Sequence, residues 1–174
     1  ASTADAITTG SNNVAIGKDA LTAADGGEDN TVAIGFSAGS AIDHDSTTAN
    51  VLIGSFAGTG GSGYILRTVA IGDDTLNGTG SQNVSYGTFV GSEAGGGTWS
   101  GSGDENTAIG YQAFKGAVNG AHYNTVVGSQ AGKAITSGDG NAAVGYQALD
   151  ANTTANNNTA VGYNALTANT TGTL

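Results

Sequence analysis

The chain has 174 residues, of which glycine (31), alanine (28), threonine (23), asparagine (16) and serine (14) account for 112. So few large apolar residues and so much glycine argue against an ordinary single core and against helices. Four basic residues against 14 acidic ones give a net charge of −10, which disfavours nucleic acid as a partner, and no apolar run is long enough for membrane insertion.

A repeat of about 18 residues runs along the chain. The residue before each repeated glycine is apolar in all nine copies, and the residue two further back is β-branched in eight of them. The consensus is N-[VT]-A-[IV]-G-x-x-A-[LG]. The repeated glycines are Gly17, Gly35, Gly54, Gly72, Gly87, Gly110, Gly128, Gly145 and Gly162.

Each copy predicts a short strand that ends at its glycine. Side chains alternate along a strand, so we expect the two bulky positions to stack in the core and the alanine between them to face outward. Glycine permits a sharp corner, and the asparagine before each strand suits the preceding corner because it tolerates left-handed backbone angles. The predicted core columns and corners comprise Val14, Ile16, Gly17, Val32, Ile34, Gly35, Val51, Ile53, Gly54, Val69, Ile71, Gly72, Ile109, Gly110, Val127, Gly128, Val144, Gly145, Val161 and Gly162.

One unit of this size cannot bury its apolar face, whereas stacked units can. The predicted fold is therefore all-β, a parallel β-solenoid of about nine coils that forms a single domain over residues 12–174. Residues 1–11 are predicted to be a linker or a segment exchanged with a neighbour, and the glycine-rich run 95–103 an insertion that protrudes. Outward alanines would let further chains approach closely, which favours a homotrimer; a monomeric solenoid is the alternative.

The stretches N-N-V-A-I-G (12–17) and N-T-V-A-I-G (30–35) resemble the N-S-V-A-I-G repeat of trimeric autotransporter adhesin heads. The stretch N-T-A-V-G-Y-N-A-L (158–166) is similar to repeats of phage tail-fibre proteins. The resemblance covers residues 12–172, although the adhesin repeat is shorter. It implies a left-handed β-roll in which three chains pack together, and a function in attachment to a surface.

Three groups of acidic residues are candidates for chemical sites. Asp43-His44-Asp45 has metal-ligand chemistry, but neighbours on an extended chain point in alternate directions, which favours a solvated turn. Asp73 and Asp74 suggest glycan hydrolysis, yet an exposed charged corner is the favoured interpretation. Calcium at coil edges is an alternative to having no cofactor, and it would use Asp25, Glu28, Asp29, Asp104, Glu105 and Asp139.

Aromatic residues offer the candidate contacts. Tyr111, Tyr146 and Tyr163 share the column directly after the repeated glycine. They form either an exposed ladder that holds a sugar or a protein, or packing at the coil corner, which we favour. Trp99 lies in the predicted insertion and is the further candidate for partner contact.

The sequence therefore predicts a non-enzymatic structural protein without catalytic residues. We expect a rigid trimeric solenoid of a phage tail fibre or surface adhesin, located outside the cell, that presents loops to a host glycan or protein. The alternative is an extracellular filament whose subunits join end to end through open strand edges.

Overall fold

The computed structural model describes residues 10–24 and 27–172, which hold eleven short strands and no helix. Residues 1–9 of the predicted N-terminal segment lie outside this part of the chain. The strands are β1 (Val14–Ile16), β2 (Val32–Ile34), β3 (Val51–Ile53), β4 (Ile65–Leu66), β5 (Val69–Ile71), β6 (Val84–Ser85), β7 (Thr88–Val90), β8 (Thr107–Ile109), β9 (Thr125–Val127), β10 (Ala142–Val144) and β11 (Thr159–Val161).

Nine strands form one parallel sheet in the order β1-β2-β3-β5-β7-β8-β9-β10-β11. Equivalent residues lie side by side, as Val14 beside Val32 and Val32 beside Val51. β4 and β6 form a second, two-stranded parallel sheet. The chain therefore winds as a parallel β-solenoid of about eight turns. The nine strands of the main sheet are spaced ~4.8 Å apart and span roughly 40 Å along the solenoid.

The fifth strand of the main sheet differs from the prediction. Gly87 was expected to be its corner, but β7 is followed by Gly91, whose φ of 133° matches that of the other corner glycines. Tyr86 instead has a φ of 57° and turns the chain before β7. With Gly91 in place, the corner-to-corner distances are 18, 19, 18, 19, 19, 18, 17 and 17 residues.

The two faces of the main sheet are the reverse of the prediction. The middle residue of each strand is buried or half-buried, and the Val and Ile positions predicted to form the core face outward. Ile16 is 56% exposed and Val161 is 72% exposed, whereas Ala33 and Ala70 are fully buried. A thin coil has interior space for few bulky groups, so the middle residue is alanine in six of the nine strands and the flanking Val and Ile residues remain outside.

Inside the coils, the middle strand residue and the residue four after the corner glycine share one volume. Leu52, Phe89 and Val126 are large, and their coils carry Gly58, Gly95 and Gly132. A Cβ on those glycines would lie 2.6, 2.6 and 2.7 Å from the respective large side chain. Most coils with a small middle residue instead bury Leu or Phe, in the pairs Ala70–Leu76, Ala108–Phe114 and Ala143–Leu149. The second coil is the exception, because it has Ala33 and Gly39 and is filled by Leu21 and Leu52 of the adjacent coils.

The asparagines before the strands line the interior and do not form the corners. Asn124 and Asn141 are buried, and their side chains stack in a ladder along the solenoid. The Asn124 Oδ1 accepts from the backbone N–H of Asn141 at 2.9 Å, and the Asn124 Nδ2 donates to the Gly138 carbonyl at 2.9 Å. The left-handed backbone falls one residue earlier, as at Tyr123 with a φ of 60°.

The predicted insertion 95–103 is part of the coil wall. The Trp99 backbone N–H donates to the Gly78 carbonyl at 2.9 Å, and the Ser100 N–H to the Val118 carbonyl at 2.8 Å, so the segment bonds to the coils on both sides. Trp99 is only 4% exposed and packs edge-on between Phe89 and Phe114. The prediction that Trp99 contacts a partner is therefore wrong. The glycines of the segment 95–103 allow the backbones of neighbouring coils to approach closely.

A candidate interface on the outward sheet face

The outward sheet face runs along all nine strands of the main sheet, and its side chains are exposed or half-buried. It consists of two columns of side chains, the first and third residues of each main-sheet strand. Seventeen of the 18 are β-branched, and 13 of them are Val or Ile. The residues are Val14, Ile16, Val32, Ile34, Val51, Ile53, Val69, Ile71, Thr88, Val90, Thr107, Ile109, Thr125, Val127, Ala142, Val144, Thr159 and Val161.

A column that we call the leading flank borders this face on one side. Its members lie two residues before each main-sheet strand, have a left-handed φ and are all exposed. The Arg67 guanidinium donates to the Tyr86 hydroxyl at 2.9 Å, so side chains of adjacent coils contact each other along the column. The members are Asn12, Asn30, Ala49, Arg67, Tyr86, Glu105, Tyr123, Gly140 and Asn157.

The trailing flank, directly after the corner glycines, borders the other side. Tyr111, Tyr146 and Tyr163 lie in it with exposures of 48%, 41% and 75%, so each ring is partly open to solvent, and Ser129 separates Tyr111 from the other two. Their role in holding a partner or in corner packing stays a prediction. The rings of Tyr146 and Tyr163 stack at 5.2 Å, which covers part of their faces. The members are Lys18, Phe36, Ser55, Asp73, Ser92, Tyr111, Ser129, Tyr146 and Tyr163.

A polar ladder runs beside the trailing flank. Gln112 donates to Glu93 at 3.3 Å, Gln130 to Gln112 at 3.2 Å, and Gln147 to Gln130 at 2.8 Å. Lys115 also donates to the Glu93 carboxylate and thereby lowers the pKa of Glu93. This ladder ties four coils together outside the core, which fixes the border of the sheet face.

The acidic candidates are engaged in the backbone network of the solenoid. Glu28 is buried and accepts from the His44 backbone N–H at 3.0 Å, and Asp104 and Asp139 accept from the N–H groups of Ser85 and His122 at 2.9 and 2.7 Å. Asp25 lies outside the described residues. Across residues 10–24 and 27–172, no group of three His, Asp or Glu side chains is arranged to hold a metal ion.

The Asp43-His44-Asp45 motif and the Asp73-Asp74 pair also do not form shared chemical sites. Asp43 and Asp45 are exposed, whereas His44 is half-buried and its Nδ1 accepts from the Ser46 backbone N–H at 3.0 Å. Asp73 is exposed in the trailing flank, and Asp74 donates its backbone N–H to the Ser55 carbonyl. The described surface has no pocket, and no described helix is long and apolar enough to cross a membrane.

Sequence reasoning missed the leading flank altogether. The shifted fifth copy placed Tyr86 among the strand residues and hid its equivalence with Arg67 and Tyr123. An alignment of that copy on Gly91 would have revealed the column, because the spacing of the corners then becomes nearly constant.

The chain matches no protein-family model, no curated protein and no solved structure. The similarity to adhesin and tail-fibre repeats accordingly stays a prediction from the sequence. What the geometry itself offers is a long, straight, apolar surface with two defined borders.

Proposed function

We propose that this protein is a non-enzymatic structural fibre module, a rigid homotrimer whose copies pack through their outward sheet faces. The observation that carries the proposal is the continuous double column of Val, Ile and Thr on that face. Contiguous apolar patches on soluble monomers are rarely so extended, and extended ones mark sites of association.

The size of the face suits association with further copies of the chain. Nine strands at ~4.8 Å give a length of roughly 40 Å, and the six residue steps between the flanks give a width of roughly 20 Å at most. The product is about 800 Å² per copy, which a homotrimer divides between two neighbours, so the three contacts together bury roughly 2,400 Å². Burial of half-exposed Val and Ile side chains supplies the driving force at about 25 cal/mol per Å² of apolar area.

Three-fold packing around an axis parallel to the solenoid supports each thin coil from outside. One chain has a core made largely of alanine and single Leu or Phe residues, so a second apolar layer between the chains adds the burial that one chain lacks. The resemblance to adhesin heads favours three copies. The rod would then present its exposed turns, such as those at 80–81 and 119–120, to a host glycan or protein outside the cell.

The experiment that tests this proposal is the mass of the purified chain by light scattering, with negative-stain images of the same sample. We expect a species of about 50 kDa, three times the 16.8 kDa of one chain. Ile53→Lys, on the third of the nine strands that form the outward sheet face, should reduce the mass to that of one chain because a charge cannot be buried there without a partner. Ser81→Lys, exposed outside the main sheet, is the matched control and should keep three chains.

Each other outcome contradicts the proposal. A wild-type monomer would remove the trimer, and a trimer that survives Ile53→Lys would place the contact on another surface. Filaments that lengthen with concentration would support the alternative in which β1 and β11, each paired on one side within the sheet, join end to end.

A further inference from the structure

The two flanks of the outward sheet face are complementary within each coil. Where the trailing residue is aromatic, the leading residue of the same coil is not, and the reverse also holds. Tyr86 and Tyr123 share their coils with Ser92 and Ser129. The converse pairs, leading residue first, are Asn30–Phe36, Glu105–Tyr111, Gly140–Tyr146 and Asn157–Tyr163.

Charge follows the same rule. The fourth coil carries Arg67 in the leading flank and Asp73 in the trailing flank, and both are exposed. Lys18 and Glu105, the other charged members of the flanks, share their coils with the uncharged Asn12 and Tyr111. No coil therefore has like charges in its two flanks.

A cyclic assembly converts this pattern into contacts between copies. When identical chains turn the same face toward a common axis parallel to the solenoid, the leading flank of one copy meets the trailing flank of the next. Copies aligned at the same height bring together the residues of the same coil. Each tyrosine then faces a smaller or polar residue, and Arg67 faces Asp73 of the neighbouring copy.

Other alignments lose these matches. A shift of one coil in one direction places Tyr86 against Tyr111 and Tyr123 against Tyr146, and it leaves Arg67 opposite Ser92. The opposite shift places Tyr123 against Tyr111. Antiparallel packing brings each flank against a second copy of itself, so that Arg67 and Asp73 lie in different seams.

We propose that neighbouring copies meet at equal height along a seam between leading and trailing flanks, in which Arg67 of one copy pairs with Asp73 of the next. The inference rests on the proposed association through the outward sheet face and specifies its direction and register. A closed three-fold assembly has its copies at equal height by symmetry, so the pair favours this assembly over staggered open and antiparallel ones, because a mismatched charge at an interface costs more than a matched surface pair gains.

Cysteine cross-linking tests the seam, because the chain has no cysteine of its own. In the double variant R67C/D73C, mild oxidation should link neighbouring copies and yield a denatured species of three chains on a gel. A disulfide needs Cα atoms about 4.4–6.8 Å apart, so the two positions, on opposite borders of one sheet, cannot link within a chain. The matched control R67C/Y111C, offset by two coils or about 10 Å, should remain unlinked.

Charge reversal provides a second measurement, since both side chains are exposed and the fold loses only the surface contact of Arg67 with Tyr86. R67D places two carboxylates in every seam and should weaken association about tenfold, whereas R67D/D73R should restore it. A trimer in which R67C/D73C stays unlinked, or in which the double reversal fails to restore association, would overturn the seam and leave the proposed function standing. A wild-type monomer would overturn both.

Discussion

At the scale of single residues, corner glycines such as Gly35 are subject to two constraints, a positive φ and the close approach of the next coil. The last of them, Gly162, is subject only to the first. Gly35 has a φ of 140°, and a Cβ there would lie 2.3 Å from the carbonyl oxygen of Gly54 in the next coil. Gly162 has nearly the same backbone, with a φ of 130°, but the nearest atom to its Cβ would be 4.0 Å away. The pair therefore distinguishes conformational strain from close approach of backbones.

We expect Gly35→Ala to destabilise the protein by more than about 3 kcal/mol, because the clash with the next coil adds to the strain of a positive φ. Gly162→Ala should cost only about 1–2 kcal/mol, the strain alone. Denaturant unfolding of both variants at equal chain concentration provides the comparison. Equal losses in the two variants would show that coil spacing plays no part.

Eight of the nine corner glycines and their strand triplets were predictable from the sequence, but the direction of the side chains was not. Alternation places Val14 and Ile16 on one face and Ala15 on the other without saying which face is inside. Hydrophobicity favoured the larger residues for the core, whereas the width of the coil selects the alanine. That width is a property of the closed turn, so it does not appear in any one repeat.

At the scale of one coil, the middle strand residue and the fourth residue after the corner glycine share one volume, and this makes a specific prediction. Leu52→Ala alone should cost about 2–5 kcal/mol through a cavity, and Gly58→Leu alone should overpack the same space. The double variant should cost at least about 2 kcal/mol less than the sum, because it reproduces the Ala70–Leu76 combination of the next coil. A double-mutant cycle of unfolding free energies measures this coupling, and simple additivity would refute shared volume.

The fifth coil shows why the alignment of such repeats can be predicted only in part from the sequence. The stretch N-V-S-Y-G at 83–87 resembles the consensus, yet β6 lies in the second sheet beside β4. Phe89 is the reason that β7 belongs in the main sheet, since its ring fills the interior beside Gly95 and Trp99. Such contacts between coils lie outside the window from which a consensus is built.

At the scale of the whole molecule, stability should depend on assembly. If the outward sheet face is buried between copies, the melting temperature rises with chain concentration because association favours the folded state by mass action. We expect this dependence in the wild type and in Ser81→Lys, and none in Ile53→Lys. Calorimetry or circular dichroism over a hundredfold range of concentration measures it, and a constant wild-type melting temperature would contradict burial of the face.

The exchange of volume between Leu52 and Gly58 in one coil, and Ala70 and Leu76 in the next, has a consequence for the history of such rods. Most turns hold one bulky group of their own at one of these two positions, whereas the second coil, with Ala33 and Gly39, is filled by Leu21 and Leu52 of the adjacent coils. Duplication or loss of a turn that holds its own bulky group therefore changes the length of the rod with little adjustment, whereas the second coil depends on both of its neighbours.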